Sequence, residues 1–207
     1  MEQQAPKTYC SFANAITDDK QLVHKHYHDN AYGFPIEDDN ELFERLVLEI
    51  NQAGLSWSTI LNKQENFRNA YHQFEIARVA AYGESDFDRL MQDAGIIRNK
   101  LKINAAIENA RTVLRLQAEF GSFKAWLDAH HPKSKGEWVK IFKKTIVSLY
   151  NLWIMCCQII YTTMSDRIVI EERIDLIKEL SAIINRINHQ DQLRVFKNLI
   201  AEKNKEL

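Results

Sequence analysis

Apolar residues recur along this chain at spacings of three and four, the period that lines one face of an α-helix. Leu42, Phe43, Leu46, Val47 and Ile50 follow this rule, and the run Asp38-Asp39-Asn40 ahead of them supplies an N-cap. Residues 86–93, 100–118, 123–129 and 171–187 read the same way; in the last, Ile174, Ile177, Leu180, Ile184 and Ile187 form one stripe. No alternating apolar and polar run paired with a hairpin turn points to strands. Only 6 Gly and 3 Pro interrupt 207 residues, so the pattern predicts an all-α fold. The loop HHPKSKGEW (130–138), with Pro132 and Gly136, is the best candidate seam between a first helical unit and the C-terminal portion.

Two C-terminal stretches carry their own expectations. From Thr145 to Ser165 there is no charged residue, a length that meets the simplest criterion for a membrane span. Asn151 and Gln158 interrupt its middle and Lys140, Lys143 and Lys144 precede it, so a buried core segment is the favoured reading and no membrane is expected. The tail 166–207, rich in Ile, Glu, Lys and Arg, reads as an amphipathic helix docked on the domain, with a partner-binding arm as the alternative.

Composition narrows the class. Hydrophobic residues at 45% and charged ones at 27% are ordinary globular values, and the length suits one domain or slightly more. A net charge of -1 excludes a chain coated in basic residues but leaves room for a local patch. Arg98, Lys100 and Lys102 form such a cluster. Three cysteines, Cys10, Cys156 and Cys157, are too few for a disulfide scaffold and fit a reducing cytoplasm; the first ten residues lack the apolar core of a signal peptide.

Several short runs carry candidate chemistry. In LMQDAGIIRNKLKINAAIENAR (90–111), Gly95 separates two helical patterns and precedes the basic cluster. A turn of this kind can aim backbone N–H groups and a helix N-terminus at a phosphate, with Arg98, Lys100 and Lys102 adding mobile charge. The plainer reading is a turn capped by Gly95 with solvated basic residues. HKHYHDNAYG (24–33) spaces three histidines at alternate positions; with a distant Cys10 they suit zinc, although a polar surface cluster is the alternative. Phe12, Tyr27, Tyr32 and Trp57 are flat groups suited to stacking on a base, or to serving as core. Glu49 stands alone in the apolar run LEINQAGLSW (48–57), where an acid needs a partner or a purpose.

Three runs occur in order: YHDNAYGFP, LFERLVLEINQAGLSWSTILNKQENFRNAYHQF and LMQDAGIIRNKLKINAAIENAR. Together they closely resemble the DNA-3-methyladenine glycosylase I family, an outlying branch of the helix-hairpin-helix DNA repair glycosylases. The resemblance covers about residues 9–144, and its Glu-x-x-Gln-Ala-Gly-Leu-Ser-Trp run is its most specific part. It implies a helix-hairpin-helix glycosylase-like helical domain over 1–144, with the hairpin at about 88–111, and a divergent helical region over 145–207. It further implies a pocket for an everted methylated base, double-stranded DNA containing alkylated bases as partner, and a monomer. Glu49 matches the pocket acid and Tyr27 its hydrogen-bonding neighbour. Trp57 matches the stacking aromatic, while Phe12 and Tyr32 stand where tryptophans are usual. Gly95, Arg98 and Lys100 fall in the hairpin expected to grip the backbone. Beyond the resemblance, we expect the loop with Gly54 and Leu55 to probe the gap in the duplex. The implied structural zinc would take Cys10 and His28.

The expected reaction is hydrolysis of the N-glycosidic bond of 3-methyladenine by a monofunctional glycosylase, since no Schiff-base lysine stands out. A base alkylated at N3 is cationic and leaves as a neutral molecule, so extrusion and recognition can supply most of the catalysis. After Lys144 the match fails: the Phe-x-Phe-x-Gly segment and the His and Cys completing the zinc site are missing, and only His189, Cys156 and Cys157 follow. A catalytically inactive DNA-binding relative with a disrupted C-terminus is therefore the rival expectation.

Overall fold

The computed structural model describes residues 9–131 and 133–147. The stripe 171–187, the tail and nearly all of the uncharged stretch 145–165 lie outside those residues. Among the described residues every regular element is helical: α1 (Tyr9–Asn14), α2 (Leu22–Asn30), α3 (Asp39–Gln52), α4 (Trp57–Leu61), α5 (Gln64–Ala70), α6 (Ile76–Ala80), α7 (Glu84–Gln92), α8 (Lys100–Phe120), α9 (Phe123–Ala129) and α10 (Lys135–Thr145). None of them is long and apolar enough to cross a membrane.

The central element is α3, whose residues Leu42 through Asn51 are all buried. It starts because the Asp38 carboxylate accepts the Glu41 N–H at 2.9 Å, taking one of the donors that a helix leaves unpaired at its start. The predicted stripe Leu42, Phe43, Leu46, Val47 and Ile50 faces the core, where each such side chain contributes on the order of 1.5–3 kcal/mol. Burial on the remaining faces comes from α4, α8 and α9 packing around it. That encirclement is what places Glu44, Arg45, Glu49 and Asn51 out of water.

Polar ties between distant segments fix how the helices stack. Asp39, in the first turn of α3, accepts the Phe123 N–H at 2.7 Å, the Lys124 N–H at 2.9 Å and the Gln117 side-chain amide at 2.6 Å. One carboxylate thus caps α9 and anchors the end of α8. Gly121, at φ +90°, ends α8 in a backbone conformation that a side chain disfavours. Three successive residues without that freedom, His72, Gln73 and Phe74, also take positive φ between α5 and α6. Full burial of Phe74 helps offset a cost of about 1–2 kcal/mol per residue.

Within 130–138, α10 already begins at Lys135, and among the described residues its Trp138 and Phe142 join the same core as Trp126 of α9, with the Trp126 and Phe142 rings 5.7 Å apart edge to face. Packing continues past the end of the resemblance: buried Asn109 donates to the Val147 carbonyl at 2.8 Å and accepts the Val147 N–H at 2.7 Å. The two groups a strand would have paired are satisfied by one side chain.

Candidate active site

Four helices converge on one cluster. Tyr27 of α2 is buried, with its ring centroid 5.5 Å from that of Trp57 at the start of α4, edge to face. Glu49 of α3 is buried and acts electrostatically on Tyr27. Ser56 caps α4 by accepting the Thr59 N–H at 3.2 Å, which sets the helix start so that Trp57 turns inward. Trp57 is half-buried, and its indole N–H is buried without a hydrogen-bond partner. A donor of that kind costs stability unless something arrives to accept from it.

Arg45 is the member of this cluster that the sequence reading missed. It lies one helical turn before Glu49 and is as buried as the carboxylate. Its guanidinium donates to the Tyr27 hydroxyl. The same group sits 4.8 Å from the Tyr27 ring centroid and 5.9 Å from that of Trp57. The available signal was an arginine in the apolar stripe at i-4 from the acid, as anomalous there as Glu49 itself. Burial pushes the Glu49 carboxyl up to about 8, against the opposing pull of Arg45. Burial likewise raises Tyr27, so its phenol keeps its proton.

Tyr9, also missed, and His24, read with its two neighbouring histidines as a zinc or surface group, build the wall behind Tyr27. Tyr9 lies 4.8 Å from Tyr32, 6.0 Å from Phe12 and 6.2 Å from Tyr27 between ring centroids. It therefore collects the two aromatics that stand in tryptophan positions around the predicted tyrosine. The histidines are on helix α2, and His24 is core rather than surface: its Nδ1 faces the Tyr9 hydroxyl at 2.9 Å and its Nε2 the Ser58 hydroxyl at 2.6 Å. Burial lowers its pKa, keeping the ring neutral so that one nitrogen can accept. This chain of contacts links α1, α2 and α4.

The turn between α7 and α8, residues 93–99, differs from expectation in three ways. Lys102 is not a mobile surface charge. It is buried, with its ammonium donating to the Asn51 and Ala53 carbonyls at 2.7 Å each. Those carbonyls end α3, so Lys102 braces the loop that presents Gly54 and Leu55. Second, the Leu101 and Lys102 N–H groups, which would have faced an anion, are taken by the Asn99 side chain at 2.9 and 3.2 Å. Third, Gly95 is needed for space rather than for a left-handed backbone: an added Cβ would lie 2.9 Å from an Asp93 carboxylate oxygen and 3.2 Å from the Asn66 Cβ. Lys63 closes the turn by donating to the Gly95 and Ala94 carbonyls at 2.9 and 3.2 Å. Arg98 and Lys100 are exposed. Gly54 has φ +78° and open space around it, and Leu55 beside it is 39% exposed.

The described residues do not complete a metal site. Cys10 is a free, half-buried thiol on α1, and His28 on α2 directs Nδ1 to the Asp29 carboxylate at 2.9 Å. No group of three or more His, Cys, Asp or Glu side chains among the described residues is arranged to hold an ion. Two donors fall short of the four that a closed zinc site requires.

Comparison with known proteins decides the family. The methyladenine glycosylase family profile matches residues 16–146, well over half of the chain. The chain belongs to the methyladenine glycosylase family. DNA-3-methyladenine glycosylase 1 of Escherichia coli (strain K12) is 54% identical over 91 residues, 44% of this chain and 49% of that protein. The chain thus spans about half the length of this relative. Among solved structures, a tyrosine-to-phenylalanine variant of 3-methyladenine DNA glycosylase I in complex with 3-methyladenine superimposes with a TM-score of 0.63 at 26% identity. The match covers 73% of this chain and 89% of that one. The Staphylococcus aureus enzyme, described for its recognition of 3-methyladenine, gives a TM-score of 0.62 at 28% identity over the same shares. The methyladenine glycosylase fold of this chain therefore carries the all-α architecture predicted from its periodicity.

Proposed function

We propose that this protein is a monofunctional DNA glycosylase that hydrolyses the N-glycosidic bond of 3-methyladenine in alkylated double-stranded DNA. The observation that carries the reading is the convergence of a buried carboxylate (Glu49), a buried phenol (Tyr27) and an indole (Trp57) from three helices. Nothing in the packing of an apolar core calls for that set. A methylated adenine bound against these rings offers an acceptor edge to the orphan indole N–H and donors to the carboxylate. Aromatic faces attract its positive charge by roughly 0.5–2 kcal/mol. Departure of a neutral base from a cationic nucleotide then needs no strong acid, and Glu49 serves by stabilising charge and orienting the base.

Exposed Arg98 and Lys100, with the turn 93–99, form the proposed backbone grip of a helix-hairpin-helix element, and Leu55 the proposed wedge at the tip of the neighbouring loop. A zinc ion, if part of this protein, would rest on Cys10 and His28 plus donors from outside the described residues; no step of the reaction depends on it. The reading places the protein in the cytoplasm, acting as a monomer. Release of free methylated base from alkylated duplex DNA tests it, with Glu49→Gln as the comparison. Folded wild-type protein that binds duplex and releases no base supports instead the non-catalytic relative.

A further inference from the structure

A site that selects a cationic base by means of a single carboxylate should keep other cations away from it. This one does not. Arg45 stands i-4 to Glu49, is 6% exposed, donates to the hydroxyl of Tyr27 and lies within 6 Å of the ring centroids of both Tyr27 and Trp57. These two rings are the faces that the proposed reading assigns to the base. The guanidinium cannot lose its charge under ordinary conditions, and its burial leaves little solvent to screen it.

We propose that Arg45 sets the charge selectivity of the base site: its guanidinium is a resident cation that already occupies the aromatic faces and offsets Glu49, lowering the preference for a positively charged purine. The inference rests on the proposed function, because it assumes that Tyr27 and Trp57 receive a base. It extends that function by making selectivity depend on a residue the cluster does not need for stacking. Two like charges about 5 Å apart in a partly desolvated site repel strongly enough to change affinity by roughly tenfold or more. A guanidinium that only braced Tyr27 would affect cationic and neutral bases alike.

The test compares binding of two small probes with fixed charge, 3,9-dimethyladeninium (a permanent cation) and 9-methyladenine (neutral), by the full chain through calorimetry. Arg45→Met should raise the affinity for the cation relative to the neutral base by roughly tenfold or more. Arg45→Gln, which keeps a donor for the Tyr27 hydroxyl, should do the same and carries the test where the Met variant folds poorly. An unchanged ratio in Met and Gln overturns the proposal. Base release from methylated duplex is measured alongside. Probes that bind while neither wild type nor variants release base would sink the glycosylase reading, and the binding ratio would still decide the role of Arg45.

Discussion

Replacing Lys102 by methionine probes the one basic residue that the fold turned from surface to strut. The perturbation removes the ammonium and leaves a chain of similar length in the same space between α8 and the end of α3. Two effects oppose each other. The hydrogen bonds to Asn51 and Ala53, both 2.7 Å, are charge-assisted and worth about 1.5–3 kcal/mol each. Against them, burial lowers the lysine to about 8, and each unit of such a shift corresponds to about 1.4 kcal/mol. The net loss on Lys102→Met should therefore be only about 1–2 kcal/mol, or on the order of 2–8 °C in Tm for a chain of this size.

Its signature is where and when that loss appears. Amide exchange should accelerate at Leu55 and Ser56, the loop whose start the lysine holds, and stay near wild type in α9 and α10. In the wild type, the unfolded chain holds the Lys102 proton up to about 10.5 while the folded one releases it near 8. The unfolded state binds more protons in that window, so the lysine's contribution to stability rises with pH across it and is lost as pH falls through about 8. A neutral amine still has two hydrogens for two carbonyls, so the strut persists above the transition. Subtracting the pH profile of Lys102→Met from that of wild type should isolate this rise. Equal exchange at Leu55 and Ser56 in the two proteins, or a difference profile flat between pH 8 and 10.5, would refute the argument.

Other expectations are direct. Because burial holds Glu49 near 8, its carboxylate forms as pH rises through that value, so kcat/KM for release of a cationic base should climb there; Glu49→Gln should remove the climb and cost on the order of 100-fold in rate. Arg98→Ala should weaken duplex binding independently of sequence and reduce its salt slope by about 1, whereas a slope unchanged from wild type would take Arg98 out of the backbone grip. Leu55→Ala should lower base release more than it lowers protein stability, since the side chain is exposed; unchanged DNA binding and release would discard the wedge. Elemental analysis of purified wild type and Cys10→Ser checks the metal: folded, metal-free wild type would retire zinc.

What the chain settled unaided was local. The helical period set the class, the Asp38 cap and the Leu42–Ile50 stripe set α3, and the start of α8 fell at Lys100 as read. Those features depend on residues within a few positions of each other. The run LEINQAGLSW also marked the candidate site, because an acid inside an apolar stripe is anomalous without any coordinates. Tertiary packing decided the rest. Whether Lys102 meets solvent or the end of α3, 49 residues from Ala53, depends on how α8 lies against α3. The same holds for Arg45, whose neighbours Tyr27 and Trp57 arrive from other helices, and for Asn109, which pairs with the backbone of Val147. Charge in a sequence says only that a group needs a partner; burial, which long-range packing alone determines, says how urgently and which one it gets.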